Sequence, residues 1–216
     1  MVDDSQSRTR RRSEAKREAI VQAAMRNFAE HGYEGARVED IANELGIAKG
    51  SVFQHFGSKA GLFFAAYRRA VTALPAWLDA PKEVLEEGFW ATLAYWLGRT
   101  EHLVQDDWVP YRITLIGNYG TDLKLKREIN RFLVSEDPYG TLEFVEFGVR
   151  RGEVRSGLDL EIAASMVDWL AERLQDALVT AELDPGLFHR HANQPQRRSA
   201  GIEQFLDLLR RAIGTP

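Results

Sequence analysis

The first 74 residues carry helical periodicity cut at short intervals by glycine, and that rhythm leaves few folds open. From Ser13 to Glu30 the apolar residues Ile20, Ala24 and Phe28 recur every four positions, with Val21 and Met25 beside them. This is one face of a helix, and Gly32 is its natural stop. Val38, Ile41, Ala42 and Leu45 then follow at i, i+3, i+4 and i+7, closed by Gly46. Ala48 to Phe56 is too short to stand alone as a helix, and Gly57-Ser58 ends it. Ser58 is suited to cap a long helix whose inner face reads Leu62, Phe63, Ala66, Tyr67, Ala70, Val71 and Leu74, up to Pro75. The order is long, short, short, long.

Beyond Pro75 the pattern predicts four to six further helices. One runs from Pro81 to about Arg99 and is apolar most of the way round (Leu85, Phe89, Trp90, Leu93, Trp96, Leu97), so it belongs at the centre of its domain. Others are expected at Asp107–Asn118, Asp122–Val134, Pro138–Arg151, Asp159–Ala181 and Ser199–Ile213, with a polar loop over 184–198. No strand pattern, repeat or low-complexity tract interrupts them. The expected class is all-α.

The formal charge of -4 suits a nucleic-acid partner only once it is divided along the chain. Residues 1–74 hold 12 Lys and Arg against 9 Asp and Glu, and the remainder hold 16 against 23. Six of the first 12 are Arg8, Arg10, Arg11, Arg12, Lys16 and Arg17, opposed within that run only by Glu14. Phosphate binding needs such a local surface whatever the total; by itself the run also fits a solvated disordered tail. The chain has no cysteine, which excludes disulfides and thiolate chemistry. With no apolar leader and no run of the ~18 residues a membrane span needs, a soluble cytoplasmic protein is expected.

The stretch GYEGARVEDIANELGIAKGSVFQHFGSKAGLF, Gly32 to Phe63, has the parts of a helix-turn-helix. The first short helix has a buried face, Gly46 allows the tight turn, and Ile47 and Val52 are placed to pin the second short helix. Its remaining residues, Ala48, Lys49, Gly50, Ser51, Gln54 and His55, are small or polar, as a helix entering a DNA groove requires. GYEG, VEDIANELG, IAKGSVFQHF and GSKAGLF, in that order, resemble the N-terminal domain of the TetR family of transcriptional regulators. The resemblance covers about Arg12 to Val71.

The resemblance implies a three-helix DNA-binding domain with a basic arm over 1–58, joined by a long helix to a ligand-binding and dimerisation domain over 59–216. It places Ala48, Lys49, Gly50, Ser51, Phe53, Gln54 and His55 at the DNA, with Phe53 and His55 against the backbone. Lys59 falls where a phosphate is usually met. Gln54 is the candidate base reader, because an amide both donates and accepts in the major groove. Two departures stand out. Ala36 and Arg37 replace the hydroxyl residue that usually caps the first short helix, a loss of roughly 0.5–2 kcal/mol unless something replaces it, and Arg37 becomes a candidate phosphate contact. Phe53 stands where tyrosine is common.

All five tryptophans, Trp77, Trp90, Trp96, Trp108 and Trp169, lie after residue 74. An aromatic helical interior can pack solid or enclose an apolar ligand. The resemblance implies an effector site, for which Trp90, Tyr95, Trp96, Trp108, Tyr111, Arg112, Phe144 and Phe147 are candidates, Arg112 being the partner for an anionic group. On the Asp159–Ala181 helix, Leu160, Ala163, Val167, Leu170, Leu174 and Ala177 make one strip, and Ile162, Met166 and Trp169 another. The last helix adds Ile202, Phe205, Leu206, Leu209 and Ile213, with Leu208 off that face. The resemblance implies a homodimer through these two helices, hence a palindromic operator. The expected function is a repressor released from DNA by a small, mostly apolar effector; an activator or a ligand-independent regulator of the same architecture is the alternative.

An enzyme is not expected. The sequence lacks GxSxG, P-loop, GxGxxG and HExxH patterns, and nothing in it calls for a cofactor or a metal. His189 and His191 form an HxH in a polar loop with only Asp184 near, which is poor metal-ligand company.

Overall fold

The structure is a computed structural model that describes residues 2–74, 79–100, 108–179 and 195–216. The helices are α1 (Val2–Gly35), α2 (Val38–Glu44), α3 (Lys49–Phe56), α4 (Lys59–Ala73), α5 (Lys82–Glu87), α6 (Phe89–Gly98), α7 (Trp108–Tyr119), α8 (Leu123–Glu136), α9 (Thr141–Arg150), α10 (Leu160–Val179) and α11 (Pro195–Ile213). The only β-type pairing among the described residues is an isolated bridge between Val154 and Gly214. The protein is all-α, with an N-terminal helix-turn-helix.

The chain divides into two compact units. The first joins 1–74 to 107–136, and the second joins 75–106 to 137–216. The expected boundary after residue 58 therefore does not coincide with either unit. The reason is local: α4 buries Leu62, Phe63, Ala66, Tyr67, Ala70 and Val71, and it packs on α1 and α7 within the first unit. The rings of Phe28 and Phe63 meet edge to face at 5.0 Å. Gly117 on α7 lets α4 come close, since a Cβ there would lie 2.5 Å from the Tyr67 ring. The Tyr67 hydroxyl donates to Asn118 Oδ1 at 2.9 Å.

The second unit is centred on α6, which buries Phe89, Trp90, Thr92, Leu93, Trp96 and Leu97. Phe89 stacks on Phe144 of α9 with ring centroids 4.3 Å apart. The continuous helix expected from Pro81 to Arg99 is in fact broken at Gly88, whose φ of 119° and ψ of -169° suit glycine alone. The break lets Glu153 approach: its carboxylate accepts from the Phe89 amide at 2.8 Å, and a Cβ at Gly88 would lie 2.4 Å from Glu153 Oε1. Long-range capping thus splits a helix that apolar periodicity alone runs together. The same glutamate accepts from Arg151 Nε at 3.0 Å.

Two other boundaries differ from expectation. The helix expected from Pro138 starts at Thr141, because Asp137 turns back to accept from the amides of Thr141 and Leu142, each at 3.1 Å. The last helix begins at Pro195 rather than Ser199, since proline suits a first helical position. Of the expected 184–198 loop, 184–194 lies outside the described residues, as do Trp77, His189 and His191. No helix among the described residues is long and apolar enough to cross a membrane.

Candidate nucleic-acid interface

Two glycines frame the recognition segment. Gly46, at φ 63°, turns the chain out of α2, and its amide donates to Asn43 O at 3.1 Å while Ile47 N donates to Ala42 O at 3.0 Å. Gly57, at φ 71°, closes α3, with its amide on Phe53 O. Between them α3 has one buried residue, Val52, at 1% exposure. Ala48, Lys49, Gly50, Phe53 and Gln54 are exposed, and Ser51, His55 and Phe56 are half-buried. Val52 anchors the helix, and Lys49, Gly50, Phe53 and Gln54 form its outward surface.

The scaffold around α3 is fixed by charge and ring contacts. Arg26 of α1 pairs with Glu44 at the end of α2 at 2.6 Å. Arg17 of α1 lies over the Phe56 ring, 5.2 Å from its centroid. Ser58 Oγ accepts from Gly61 N at 3.0 Å, capping α4. Hydrogen bonds from Gln22 and then Arg69 hold the Glu18 carboxyl below the usual carboxylate range, so Glu18 ties α1 to α4 as an ion. The motif marks neither Arg17 nor Arg26 as a contact, although Arg17 belongs to the basic run visible in the composition.

The basic candidates sit around this frame. Lys49 meets Glu39 of α2 at 3.5 Å, both side chains more than half exposed; such a pair is worth little and yields readily to a phosphate. Lys59 Nζ donates to Glu34 O at 3.1 Å and lies 5.1 Å from the Tyr33 ring centroid. Burial raises the Tyr33 phenol above its ordinary pKa, with Asp122 adding to the shift. Arg37 is the N-cap of α2, in extended conformation with no side-chain cap hydrogen bond. Glu39 and Asp40 in the first turn are the charges that offset the helix dipole there.

The eight effector candidates fall in different units. Trp90, Tyr95, Trp96, Phe144 and Phe147 belong to the second unit's aromatic core. There Trp90 Nε1 donates to Glu153 O at 3.4 Å, the Arg210 guanidinium lies over its ring, and Arg99 donates to the Tyr95 hydroxyl at 2.8 Å. Phe89, central to this stack, is not marked by the sequence, where apolar neighbours on every side make it look like core. Trp108, Tyr111 and Arg112 lie on α7 in the first unit, where Trp108 is 44% exposed with Arg112 over its ring.

An all-helical fold whose short, outward-facing α3 is held by α1, α2 and α4 is a helix-turn-helix DNA-binding protein. Residues 20–66 match the family described as bacterial regulatory proteins, tetR family. The HTH-type transcriptional repressor AcnR of Corynebacterium glutamicum is 26% identical over 172 residues, 79% of this chain and 86% of that one. The fatty acid metabolism regulator protein of Bacillus subtilis is 25% identical over 154 residues, 68% of this chain and 75% of that one. A crystal structure of FadR from Bacillus subtilis in complex with stearoyl-CoA superposes with a TM-score of 0.62 at 21% identity, covering 89% of this chain and 96% of the other. Residues 20–66 are thus similar to the DNA-binding domain of bacterial tetR-family regulators, and most of the chain is similar to a transcriptional repressor.

Proposed function

We propose that the chain acts as a dimeric repressor, with α3 of each copy entering the major groove of one half of a palindromic operator. The observation that carries this reading is the division of α3 into one buried anchor, Val52, and an uncovered outer surface. In this reading Gln54 meets a base edge, while Ala48, Gly50 and Ser51 let the backbone approach. Phe53 and His55 lie along the sugar-phosphate wall, and Lys49, Lys59 and Arg37 supply positive charge to phosphates. Lys59 spends one of its three donors on Glu34 O and keeps two for an anion.

Dimerisation draws support from α10 and α11. Ile162, Trp169 and Leu170 are 60%, 63% and 43% exposed, and Leu208 is 66% exposed, while Ala163, Val167, Ala171, Leu209 and Ile213 are buried on the other sides of the same two helices. Leu170 is thus exposed although its spacing groups it with the buried Ala163 and Val167. Apolar surface of this size on one pair of helices calls for a partner. A mostly apolar effector held among the aromatic residues of the second unit would lower DNA affinity. The acyl chain bound by the Bacillus subtilis neighbour makes a long-chain acyl-CoA the first probe.

The test is selection of binding sites from genomic DNA by the purified chain, followed by gel shifts on the recovered duplex. The expected result is an inverted repeat, bound by two copies and released by the acyl-CoA in parallel with quenching of tryptophan fluorescence. Recovery of sites with no two-fold symmetry refutes the dimer reading. Quenching without release refutes the coupling.

A further inference from the structure

Lys59 is held in a way that leaves its charge uncompensated. The residue is half-buried, and no carboxylate pairs with it among the described residues. Two neutral groups hold it instead. The main-chain oxygen of Glu34 accepts from Nζ at 3.1 Å, and the centroid of the Tyr33 ring lies 5.1 Å from the same atom. Lys49 is the contrast, an exposed lysine that meets the carboxylate of Glu39 at 3.5 Å. A lysine paired with a carboxylate must give up that pair to reach a phosphate. One seated on a ring and a carbonyl keeps its full charge on offer.

The ring is itself fixed in place. Gly32 takes φ 70° and ψ 174°, which only glycine adopts freely, and it interrupts α1 one residue before Tyr33. The chain closes again at once, with Ala36 N donating to Gly32 O at 3.2 Å. Beyond this kink Tyr33 lies against two other rings, stacked with Phe28 at 6.1 Å and edge to face with Phe63 at 5.2 Å. Phe28 and Phe63 are both at 0% exposure, so Tyr33 cannot shift without disturbing the core that α1 and α4 share. Lys59 opens α4 four residues before Phe63, and cation and platform are therefore tied to the same core. The carboxylates of Asp122, Glu34 and Glu128 act on the Tyr33 phenol, yet none forms an ion pair with Lys59. The ring face and the carbonyl set its position.

We propose that Tyr33 is a positioning residue for operator binding, its ring face holding the Lys59 ammonium where a DNA phosphate is met. The inference rests on the reading of Lys59 as a phosphate contact. A lysine free in solvent has a long flexible stem to order when it binds, and that ordering subtracts from affinity. Here the ordering is largely done in the unbound protein. Because the platform acts through a backbone contact, it strengthens binding to every DNA sequence without adding base preference.

The test is a double-mutant cycle on the full chain, using duplexes it selects from a random library. Tyr33→Leu removes the ring face and should weaken binding about two- to fivefold, the size of an exposed cation–π contact, by the same factor on every sequence. Tyr33→Phe keeps the face and should retain the original affinity. In the Lys59→Ala chain, Tyr33→Leu should cost nothing further. Replacing Tyr33 by a phenylalanine fluorinated round its edge drains the ring face while keeping the packing on Phe28 and Phe63, and gives the same comparison should Tyr33→Leu fail to fold. Equal losses with and without Lys59 overturn the proposal and reduce Tyr33 to core packing. Undiminished affinity with the fluorinated ring overturns it as well. If Lys59→Ala leaves binding unchanged, the phosphate reading of Lys59 fails, and if the unsubstituted chain binds no duplex, the reading of α3 fails. Either result takes the proposal with it, and neither resembles an equal loss in both backgrounds.

Discussion

Arg37→Ser separates what α2 needs from what DNA needs. Arg37 occupies the N-cap with φ -122° and ψ 125°, the extended geometry of a capping residue, yet makes no cap hydrogen bond. Its carbonyl already accepts from Asp40 N and Ile41 N at 3.1 and 3.4 Å, so the first turn is formed and only the side-chain acceptor is missing. A serine Oγ at this position reaches the amide two or three residues on without any change of backbone, worth about 1 kcal/mol. For a chain of this size that raises Tm by about 2–4 °C. The same substitution removes an exposed cation that has no partner among the described residues. If Arg37 meets a phosphate, the salt slope of operator binding shallows by about 0.9. Thermal unfolding by circular dichroism and gel shifts over a salt series read the two effects independently. An unchanged or lowered Tm refutes the capping argument, and an unchanged slope removes Arg37 from the DNA contacts.

Three other outcomes are expected. Gln54→Ala should leave Tm unchanged and flatten the preference at one position of the selected-site profile; a profile identical to the original removes Gln54 as a base reader. Trp169→Glu with Leu208→Glu should yield a monomer by sedimentation, since both residues are more than 60% exposed on the outer strip and charge there opposes apolar association; a dimer that persists locates the interface elsewhere. Asp168 is held above the ordinary carboxyl pKa chiefly by burial, with Asp137 adding to the rise and a hydrogen bond from Thr141 opposing it. The folded state therefore binds the proton more tightly than the unfolded chain, so this group's effect on stability worsens as pH rises from 3.8 through its folded value. Asp168→Asn keeps an acceptor for Thr141 Oγ1 and should raise Tm at neutral pH, with the gain vanishing in acid; a gain independent of pH refutes the assignment.

How far the sequence could be read depended on where each signal came from. The helix-turn-helix was legible because its determinants are local: apolar residues at i, i+3, i+4 and i+7, glycines at the turns, and Ser58 three residues before the amide it caps. The break at Gly88 was hidden because the group that stabilises it, Glu153, is 64 positions away. Asp137 reads as an ordinary loop acid until its turn-back onto Thr141 and Leu142 is seen. Spacing grouped Leu170 with Val167, yet Leu170 is exposed while Val167 is buried; periodicity finds apolar strips but does not say which neighbour covers them. Residue type marks aromatic candidates but does not distinguish one unit from another. Hence Trp90 and Phe144 share a core while Trp108 and Tyr111 lie in the other unit.

The economy of α3 carries a further consequence for how such a helix evolves. Eight residues cannot sustain a helix alone, so α3 exists because Val52 is held by the helices around it. Truncating Val52 to alanine removes two buried carbons' worth of transfer energy and opens a cavity, about 2 kcal/mol, and should weaken binding to every DNA sequence alike. Gly50 is the opposite case. A Cβ placed there meets nothing within 4 Å and its φ is not in the left-handed region, so alanine is free of strain and should stabilise the unbound protein by up to about 1 kcal/mol. A glycine that the isolated protein would be better without is explained if the bare backbone is needed against a groove wall. Gly50→Ala should therefore raise Tm and lower operator affinity together. Stabilisation with undiminished affinity would show that no groove wall comes that close, and that α3 meets its operator through Gln54 and Lys49 from further out.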